Sequence, residues 1–446
     1  PCMTMESPLD DKGTTELEAR AGSGTEQVTD LAQTRGQLWR NTARAALLVA
    51  VVAAAALYLN IGKTLLVVLA LVMMIMIHEF GHFAVAKWSK MKVTEFFVGF
   101  GPRIWSFRRG ETEYGVKALP AGGYVKIVGM SSLEELAPED EARAYRNSSY
   151  PRRLAVSAAG SFMHFVMAYL ILVILFSVVG VADSSRAQVV ALSKFPGVTS
   201  PAQAAGLKPG DIIYAVNGIR LRSVNTLITK IEASADKPVE LGVQRNGRDL
   251  QLQVVPARAS SLNHSLTGAA AGKGLIGVEL GEPLAKAGIL SSLWKPFSVI
   301  GQYTYATVGA LVQHFSPSGI SKYVHALQHP ASTTSGAGAA TRFESPVGIV
   351  RLASQAANVG LGAVLTLLFS INIFIGVFNM VPLLPLDGGH VLIATYERIR
   401  SRKGRRYHAD MAKLIPVTYA VLMVILLLGV TALYLDLTHP LANPFG

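Results

Sequence analysis

The sequence predicts a polytopic α-helical membrane protein that carries an inserted α+β domain and a loop of β-hairpins. Half of the 446 residues are hydrophobic and only 16% are charged, against about 25% in an ordinary soluble domain. The apolar residues gather in runs of the roughly 20 residues that a helix needs to cross a bilayer. Between these runs lie segments in which strand-like stretches alternate with turn residues.

Four apolar runs have the length and polarity of a membrane span, namely 64–86, 156–181, 361–384 and 414–434. A fifth run, 43–59, is shorter and rich in alanine. We predict an extra transmembrane span there, with an interfacial or buried helix as the alternative reading.

Lysine and arginine cluster beside the spans and orient them, because positively charged loops stay in the cytoplasm. Basic residues crowd the loop 87–155 and the segment 398–413. Five spans satisfy this bias if the polar tail 1–42 also lies inside and residues 182–360 lie outside. The net charge of +12 therefore reflects topology. No basic stretch is interleaved with aromatic residues, so we expect no nucleic-acid partner.

Three soluble segments have distinct patterns. The stretch 93–128 alternates strand-like runs with glycine turns, which predicts short hairpins. Residues 186–257 predict a compact domain, in which a strand and a helix precede two strands joined by an Asn-Gly hairpin turn. Residues 258–360 predict a linker with an amphipathic segment at 288–315.

The residues His78-Glu79-Phe80-Gly81-His82 form an HExxH pattern at the inner end of a predicted span. Histidines four apart lie on one face of a helix, so both imidazoles can reach one metal ion. Glu79 lies where it can take a proton from a metal-bound water. Polar groups at the end of an apolar helix are costly in lipid unless they serve a site. These residues therefore predict a zinc-dependent hydrolase.

Zinc needs a third protein ligand and an open position, and a second span reaches the same predicted depth. Its end, NMVPLLPLDGGH at 379–390, offers Asp387 beside two glycines, with His390 as a competing ligand. Pro382 and Pro385 break the helix and leave room for an extended substrate. Asn379 is a candidate hydrogen-bond donor to the substrate backbone or to the oxyanion, or else a polar residue bonded within its own bundle.

HExxH in one span and NxxPxxxLDG in a later span together resemble the site-2 protease family of intramembrane zinc peptidases. The resemblance covers roughly residues 64–434. It includes FFVGFGPRIWSF, GGYVKI, the PDZ-type sequence GLKPGDII, and SPVGI. The similarity is closest to bacterial members that cut anti-sigma factors in regulated intramembrane proteolysis.

The resemblance implies that His78, His82 and Asp387 are zinc ligands and that Glu79 is the catalytic base. It implies that the hairpin loop is membrane-associated and pairs with the substrate as an added strand. It also makes the inserted domain an extracytoplasmic PDZ-like domain. The expected protein is an endopeptidase of the bacterial cytoplasmic membrane. Its partners would be the lipid bilayer and transmembrane substrates similar to anti-sigma factors.

One family motif is altered. The family's Gly-Pro-x-x-Asn pattern in the next span is here Gly160-Ser161-Phe162-Met163-His164. His164 is expected to bond to a helix neighbour, to form a hydrogen bond near the site, or to add a metal ligand.

Two other functions remain as alternatives. A catalytically inactive relative that binds membrane helices through its PDZ-like domain would be expected to lack one of the four core residues. A metal transporter would be expected to show repeated spans with ligands near the midplane. The complete set of core residues and the position of the ligands at one end of their spans favour the protease.

Overall fold

The computed structural model describes residues 61–130, 136–195, 198–262, 271–339, 341–401 and 407–444, together with Leu47, Ala54 and Tyr58. The predicted tail 1–42 and, apart from those three positions, the predicted extra span 43–59 lie outside the described residues. The chain forms two compact units. The first is built from residues up to Leu170 and from Val299 onward, and the second is Ile171–Ser298.

The described helices are, in chain order, α1 (Gly62–Trp88), α2 (Tyr150–Ile174), α3 (Pro201–Ala204), α4 (Val224–Glu232), α5 (Ala259–Leu262), α6 (Ile289–His314), α7 (Pro317–Gln328), α8 (Gly336–Ala339), α9 (Pro346–Val359), α10 (Leu361–Asn379), α11 (Asp387–Arg400) and α12 (Ile415–Thr438). The described strands are β1 (Val93–Arg109), β2 (Thr112–Ile127), β3 (Val181–Ala182), β4 (Ala187–Leu192), β5 (Ile212–Val216), β6 (Ile219–Arg220), β7 (Val239–Arg245), β8 (Arg248–Val254), β9 (Ala257–Arg258), β10 (Gly274–Leu275), β11 (Val278–Gly281) and β12 (Leu284–Ala285).

Among the described residues, α1, α2, α10 and α12 are long and apolar enough to cross a membrane. They fall on four of the predicted spans but differ at the ends. Helix α2 begins at Tyr150, because Pro151 is tolerated in a first turn whose amides have no helical partner. Helix α10 ends at Asn379, short of the predicted 384, and Pro382 and Pro385 lie in the break that follows. The sequence also predicts that residues 361–390 form a span that carries the LDG motif. In the structure this segment is two helices separated by residues 380–386.

Strands β1 and β2 pair antiparallel, and both are bent, so the loop contains four strand runs. Phe96 lies opposite Val125 on one side and opposite Tyr114 on the other. The bend in β1 needs Gly99, whose φ is 83° and whose Cβ, if it had one, would lie 2.5 Å from the carbonyl oxygen of Leu119. This is the alternation of strands and glycine turns that the sequence predicts.

The second unit contains a sheet with strand order β11-β4-β5-β7-β8, and β6 pairs with β5. Asn246 and Gly247, with φ of 48° and 79°, form the predicted tight hairpin between β7 and β8. The sheet extends beyond the predicted boundary at 257, because β11 pairs with β4. Strand β11 has only four residues and lies in a glycine-rich stretch, so no alternating pattern marks it in the sequence.

A buried ion cluster ties the start of α9 to the end of α12. Asp436 accepts hydrogen bonds from the Arg342 guanidinium and, at 2.7 Å, from the backbone amide of Ser345. Glu344 lies 3.4 Å from Nε of Arg342, and both of its carboxylate oxygens are buried without a hydrogen-bond partner. A side chain at Gly348 would overlap the carboxylates of both Asp436 and Glu344. The cluster is thus tightly packed, but the buried carboxylate of Glu344 has no hydrogen-bond donor to stabilise its charge.

We expect Glu344→Gln to stabilise the protein at alkaline pH. Burial, with the Asp436 carboxylate close by, raises the pKa of Glu344 from its ordinary 4.5 to about 7. A carboxyl whose pKa is raised by folding favours the folded state below about pH 4.5, and that contribution is lost as the pH rises through about 7. Thermal unfolding in detergent micelles should show a gain of about 1–3 kcal/mol at pH 8 that vanishes near pH 4.5.

The matched control is Glu240→Gln, at an exposed position of β7 in the other unit, which should leave the unfolding curve unchanged at both pH values. An equal effect of Glu344→Gln at pH 4.5 and pH 8 would contradict this account of the cluster.

Candidate functional site

Helix α1 brings His78 and His82 to one buried face. The buried positions Met74, His78, His82 and Ala86 recur every four residues, so they lie along one side of the helix. Nδ1 of His82 lies 2.7 Å from the carbonyl oxygen of Val156 in α2. A carbonyl only accepts, so Nδ1 carries the proton and Nε2 keeps its lone pair. The bond to Val156 thus sets the tautomer that a metal ligand requires.

Two glycines let α1 and α2 approach closely at this point. A Cβ on Gly81 would lie 2.7 Å from the carbonyl oxygen of Ala159. A Cβ on Gly160 would overlap Nε2 of His82 and would lie 2.6 Å from Nε2 of His78. Gly160 therefore leaves open the space into which both imidazole nitrogens point.

Asp387 is the first residue of α11, directly after the break that follows α10. Gly388 and Gly389, which follow it, pack against the backbone of the irregular segment 380–386. A Cβ on Gly389 would lie 2.7 Å from the amide nitrogen of Leu384, and one on Gly388 would overlap the carbonyl oxygens of Met380 and Val381. Only residues without side chains fit there, so the Asp-Gly-Gly sequence fixes where the carboxylate lies.

The three predicted ligands meet at one point. Nε2 of His78 and Nε2 of His82 are 3.3 Å apart, and Oδ2 of Asp387 lies 3.5 Å and 3.4 Å from them. A tetrahedral zinc site with bonds of about 2.0–2.1 Å has ligand atoms about 3.3–3.4 Å apart. The Asp387 oxygen is buried and accepts no hydrogen bond. These atoms therefore fit one face of a zinc tetrahedron, with the fourth position left for water or substrate.

Glu79 lies at the edge of this triad, beside the hairpin loop. Its carboxylate is close enough to His82 and Asp387 to interact electrostatically with both. A Cβ on Gly123 of β2 would lie 3.3 Å from Cγ of Glu79 and 2.7 Å from Sδ of Met76. The GGYVKI strand therefore passes against the glutamate, and Gly123 makes that close passage possible.

Two other predicted residues lie outside the triad. Asn379 is the last residue of α10 and is half-buried. In the part of the chain that the structure describes, its side chain makes no hydrogen bond to the three ligands. His390, the competing ligand, is not in the group of atoms that could share a metal ion. It lines a cavity of about 340 Å³ with Tyr145, Arg153 and Glu397.

Asn372, which the sequence does not single out as a site residue, is 1% exposed in the middle of α10. Its Oδ1 lies 2.9 Å from Nδ1 of His164, and the His164 ring centre lies 5.0 Å from that of His78. An amide in the interior of an apolar span is the available signal, because such a group must find a partner within the bundle.

Comparison with known proteins agrees with this geometry. The family model for peptidase family M50 matches residues 66–425, a range that includes the whole triad. The zinc metalloprotease Rip1 of Mycolicibacterium smegmatis is 32% identical over 408 residues, which cover 84% of this chain and 97% of that protein. The zinc metalloprotease Rip1 of Mycobacterium tuberculosis is 31% identical over 409 residues, which cover 84% of this chain and 96% of that protein.

We expect Gly160→Ala to abolish metal retention. The added methyl group would occupy the space beside both imidazole nitrogens, even though alanine favours a helix by about 1 kcal/mol over glycine. Metal analysis of the purified full chain, after brief dialysis, should find about one zinc per chain in the parent and almost none in the variant.

The matched control is Gly429→Ala in α12, where a Cβ would meet nothing within 4 Å. This variant should retain zinc as the parent does. Full zinc retention by Gly160→Ala would show that the nitrogens do not converge on this space.

Proposed function

The chain belongs to peptidase family M50, the site-2 protease family, and is a zinc metalloprotease; from this premise we propose that it cuts peptide bonds within transmembrane segments of other membrane proteins. The observation that carries the proposal is the triangle of the buried His78 and His82 with the partly buried Asp387. The histidines lie on a helix long enough to span a bilayer, and Asp387 begins the helix that follows another such helix. Metal ligands on a membrane-spanning helix fit a substrate that lies in the membrane.

In this proposal His78, His82 and Asp387 hold the zinc ion, which would supply Lewis-acid chemistry and lower the pKa of a water molecule to about 7. Glu79 accepts a proton from the attacking water and later gives it to the leaving amine. Its place beside His82, against the strand at Gly123, supports this role, because a base must lie within reach of the water it deprotonates.

The substrate must be unwound before it is cut, because the amides of a membrane helix are held in its own hydrogen bonds. The break at 380–386 offers irregular backbone beside Asp387. The β1–β2 loop offers strands to which an extended segment can add as a further strand. Asn379, at the start of the break, is the proposed donor to the substrate backbone or the oxyanion.

The proposed topology follows from the basic loops described above. The N-terminus and the hairpin loop face the cytoplasm, and residues 182–360 lie outside. We assign residues 186–257 as a PDZ-like domain, supported by the antiparallel sheet and the helix α4 between β6 and β7. Its role is to screen substrates by strand addition. The resemblance to bacterial members makes membrane-anchored anti-sigma factors the first class of substrate to test.

We expect Glu79→Gln to abolish cleavage and to keep zinc. A transmembrane reporter substrate in liposomes should be cut by the parent, and the rate should fall by a factor of about 10²–10⁴ in the variant. Chelation should also stop the parent reaction, and added zinc should restore it.

Glu240→Gln is the control, since it makes the same change at an exposed position of the other unit. Cleavage that survives in Glu79→Gln would remove Glu79 from the mechanism. If the zinc-loaded parent cuts no substrate in a panel of anti-sigma-like spans, the proposed substrate class is wrong.

We expect removal of the second unit's sheet to widen substrate choice and to leave the protease active. The excision is possible because the amide of Asp183 bonds to the carbonyl of Pro283 at 2.9 Å and because β3 pairs with β12, so the cut ends are neighbours. A short glycine-serine linker should therefore replace residues 184–282. The variant should also cut a second reporter that keeps an intact extracytoplasmic domain, which the parent should reject. A folded, zinc-loaded variant with no activity would contradict the role as a filter.

A further inference from the structure

His164 and Asn372 form a buried polar pair beside the metal triad. Both side chains are 1% exposed, and each lies on an apolar helix, α2 or α10. The helices approach closely here, since a Cβ on Gly376 would lie 3.1 Å from Cβ of His164. An amide and an imidazole are expensive to bury in such a place. Neither His164 nor Asn372 has a role in the proposed function.

The hydrogen bonds fix the tautomer of His164. Nδ2 of Asn372 lies 2.8 Å from the carbonyl oxygen of Leu368. That oxygen can only accept, so the amide group must face it and Oδ1 must face His164. Oδ1 also only accepts, so Nδ1 of His164 carries the proton at the 2.9 Å contact. In the neutral ring Nε2 is then a free acceptor. Among the described residues it takes part in no hydrogen bond.

The His164 ring lies beside the proposed metal site. His164 follows Gly160 by one helical turn, and side chains on a helix lean toward its N-terminus, so the ring leans toward the space that Gly160 leaves. The ring centre is 5.0 Å from that of His78. The ring is close enough to Asp387 and His82 to interact electrostatically with both. His164 is nevertheless absent from the group whose atoms lie within 4.8 Å of one another. It is therefore a neighbour of the metal site and not one of its ligands.

We propose that His164 is a positioning residue for the open coordination position of the zinc site, and that Asn372 holds it in the required tautomer. Nε2 of His164 accepts a hydrogen bond from the O–H or N–H group that enters this position. The inference rests on the zinc site of the proposed function.

The test uses the full chain in detergent micelles, loaded with cobalt(II) in place of zinc, and acetohydroxamate as the probe. The hydroxamate binds a metal ion through oxygen and carries an N–H donor. The visible spectrum of cobalt reports both metal coordination and probe binding. Chelator competition measures the metal affinity separately, so the readout does not depend on proteolysis.

Two variants differ in which ring nitrogen they imitate. His164→Gln keeps a polar group near the position of Nε2, whereas His164→Asn keeps one near Nδ1, against Asn372, and removes the tip of the ring. We expect hydroxamate affinity within about threefold of the parent for His164→Gln, and about tenfold weaker for His164→Asn. Asn372→Leu should also weaken the binding of the hydroxamate about tenfold. Without the Asn372 amide, no hydrogen bond holds the proton on Nδ1 of His164. Cobalt affinity should change less than about threefold in all three variants.

Three outcomes would overturn the proposal. Equal probe affinity in the Gln and Asn variants would mean that His164 acts only through packing. A loss of cobalt affinity of about 100-fold in His164→Asn, with a changed cobalt spectrum, would make His164 a direct ligand. Unchanged probe affinity in Asn372→Leu would remove the tautomer argument. Failure of the parent to bind cobalt at all would instead contradict the zinc site and thus the proposed function itself.

Discussion

The close approach of α1 and α2 at Gly81 and Gly160 is the constraint on which the rest of the site depends. Small residues let membrane helices touch backbone to backbone, and here the contact brings the Val156 carbonyl within hydrogen-bonding distance of His82. The same contact clears the space that both imidazole nitrogens share. If the two helices were farther apart, His82 would lose its tautomer partner and the triangle with Asp387 would open.

Three polar side chains of the apolar helices have a hydrogen-bond partner on another segment. His82 bonds to a carbonyl, His164 to Asn372, and Asp436 to Arg342. An unpartnered polar group in such surroundings costs about 1–3 kcal/mol or more. Such pairs therefore fix the mutual register of helices whose apolar faces would tolerate sliding. Oδ2 of Asp387 is among the buried polar atoms that have no hydrogen-bond partner, and its two nearby imidazole nitrogens fit a metal ion as the partner.

The sequence predicts the parts of this protein that depend on local pattern. Apolar runs predict the four long helices, HExxH spacing predicts a shared face for His78 and His82, and the topology places Asp387 at the same depth. Contacts between helices are harder to predict, because they depend on crossing angles and distances that no single segment encodes. Asn372 is identifiable as an amide in the interior of an apolar span, but its pairing with His164 depends on the approach of α10 to α2. Strand β11 is too short to show a period of two, so the sequence predicts a linker there.

The proposed metal ligands come from distant parts of the polypeptide, with the histidines on α1 and Asp387 on α11. Membrane helices enter the bilayer in order as the chain is synthesised. A ribosome-bound chain that has inserted α1 and α2 thus holds a histidine pair without a third ligand. The proposed metal site is therefore incomplete until α10 and the break after it have been made. A chain that ends before this break would hold only two of the three proposed ligands, so the order of synthesis itself delays the assembly of the site.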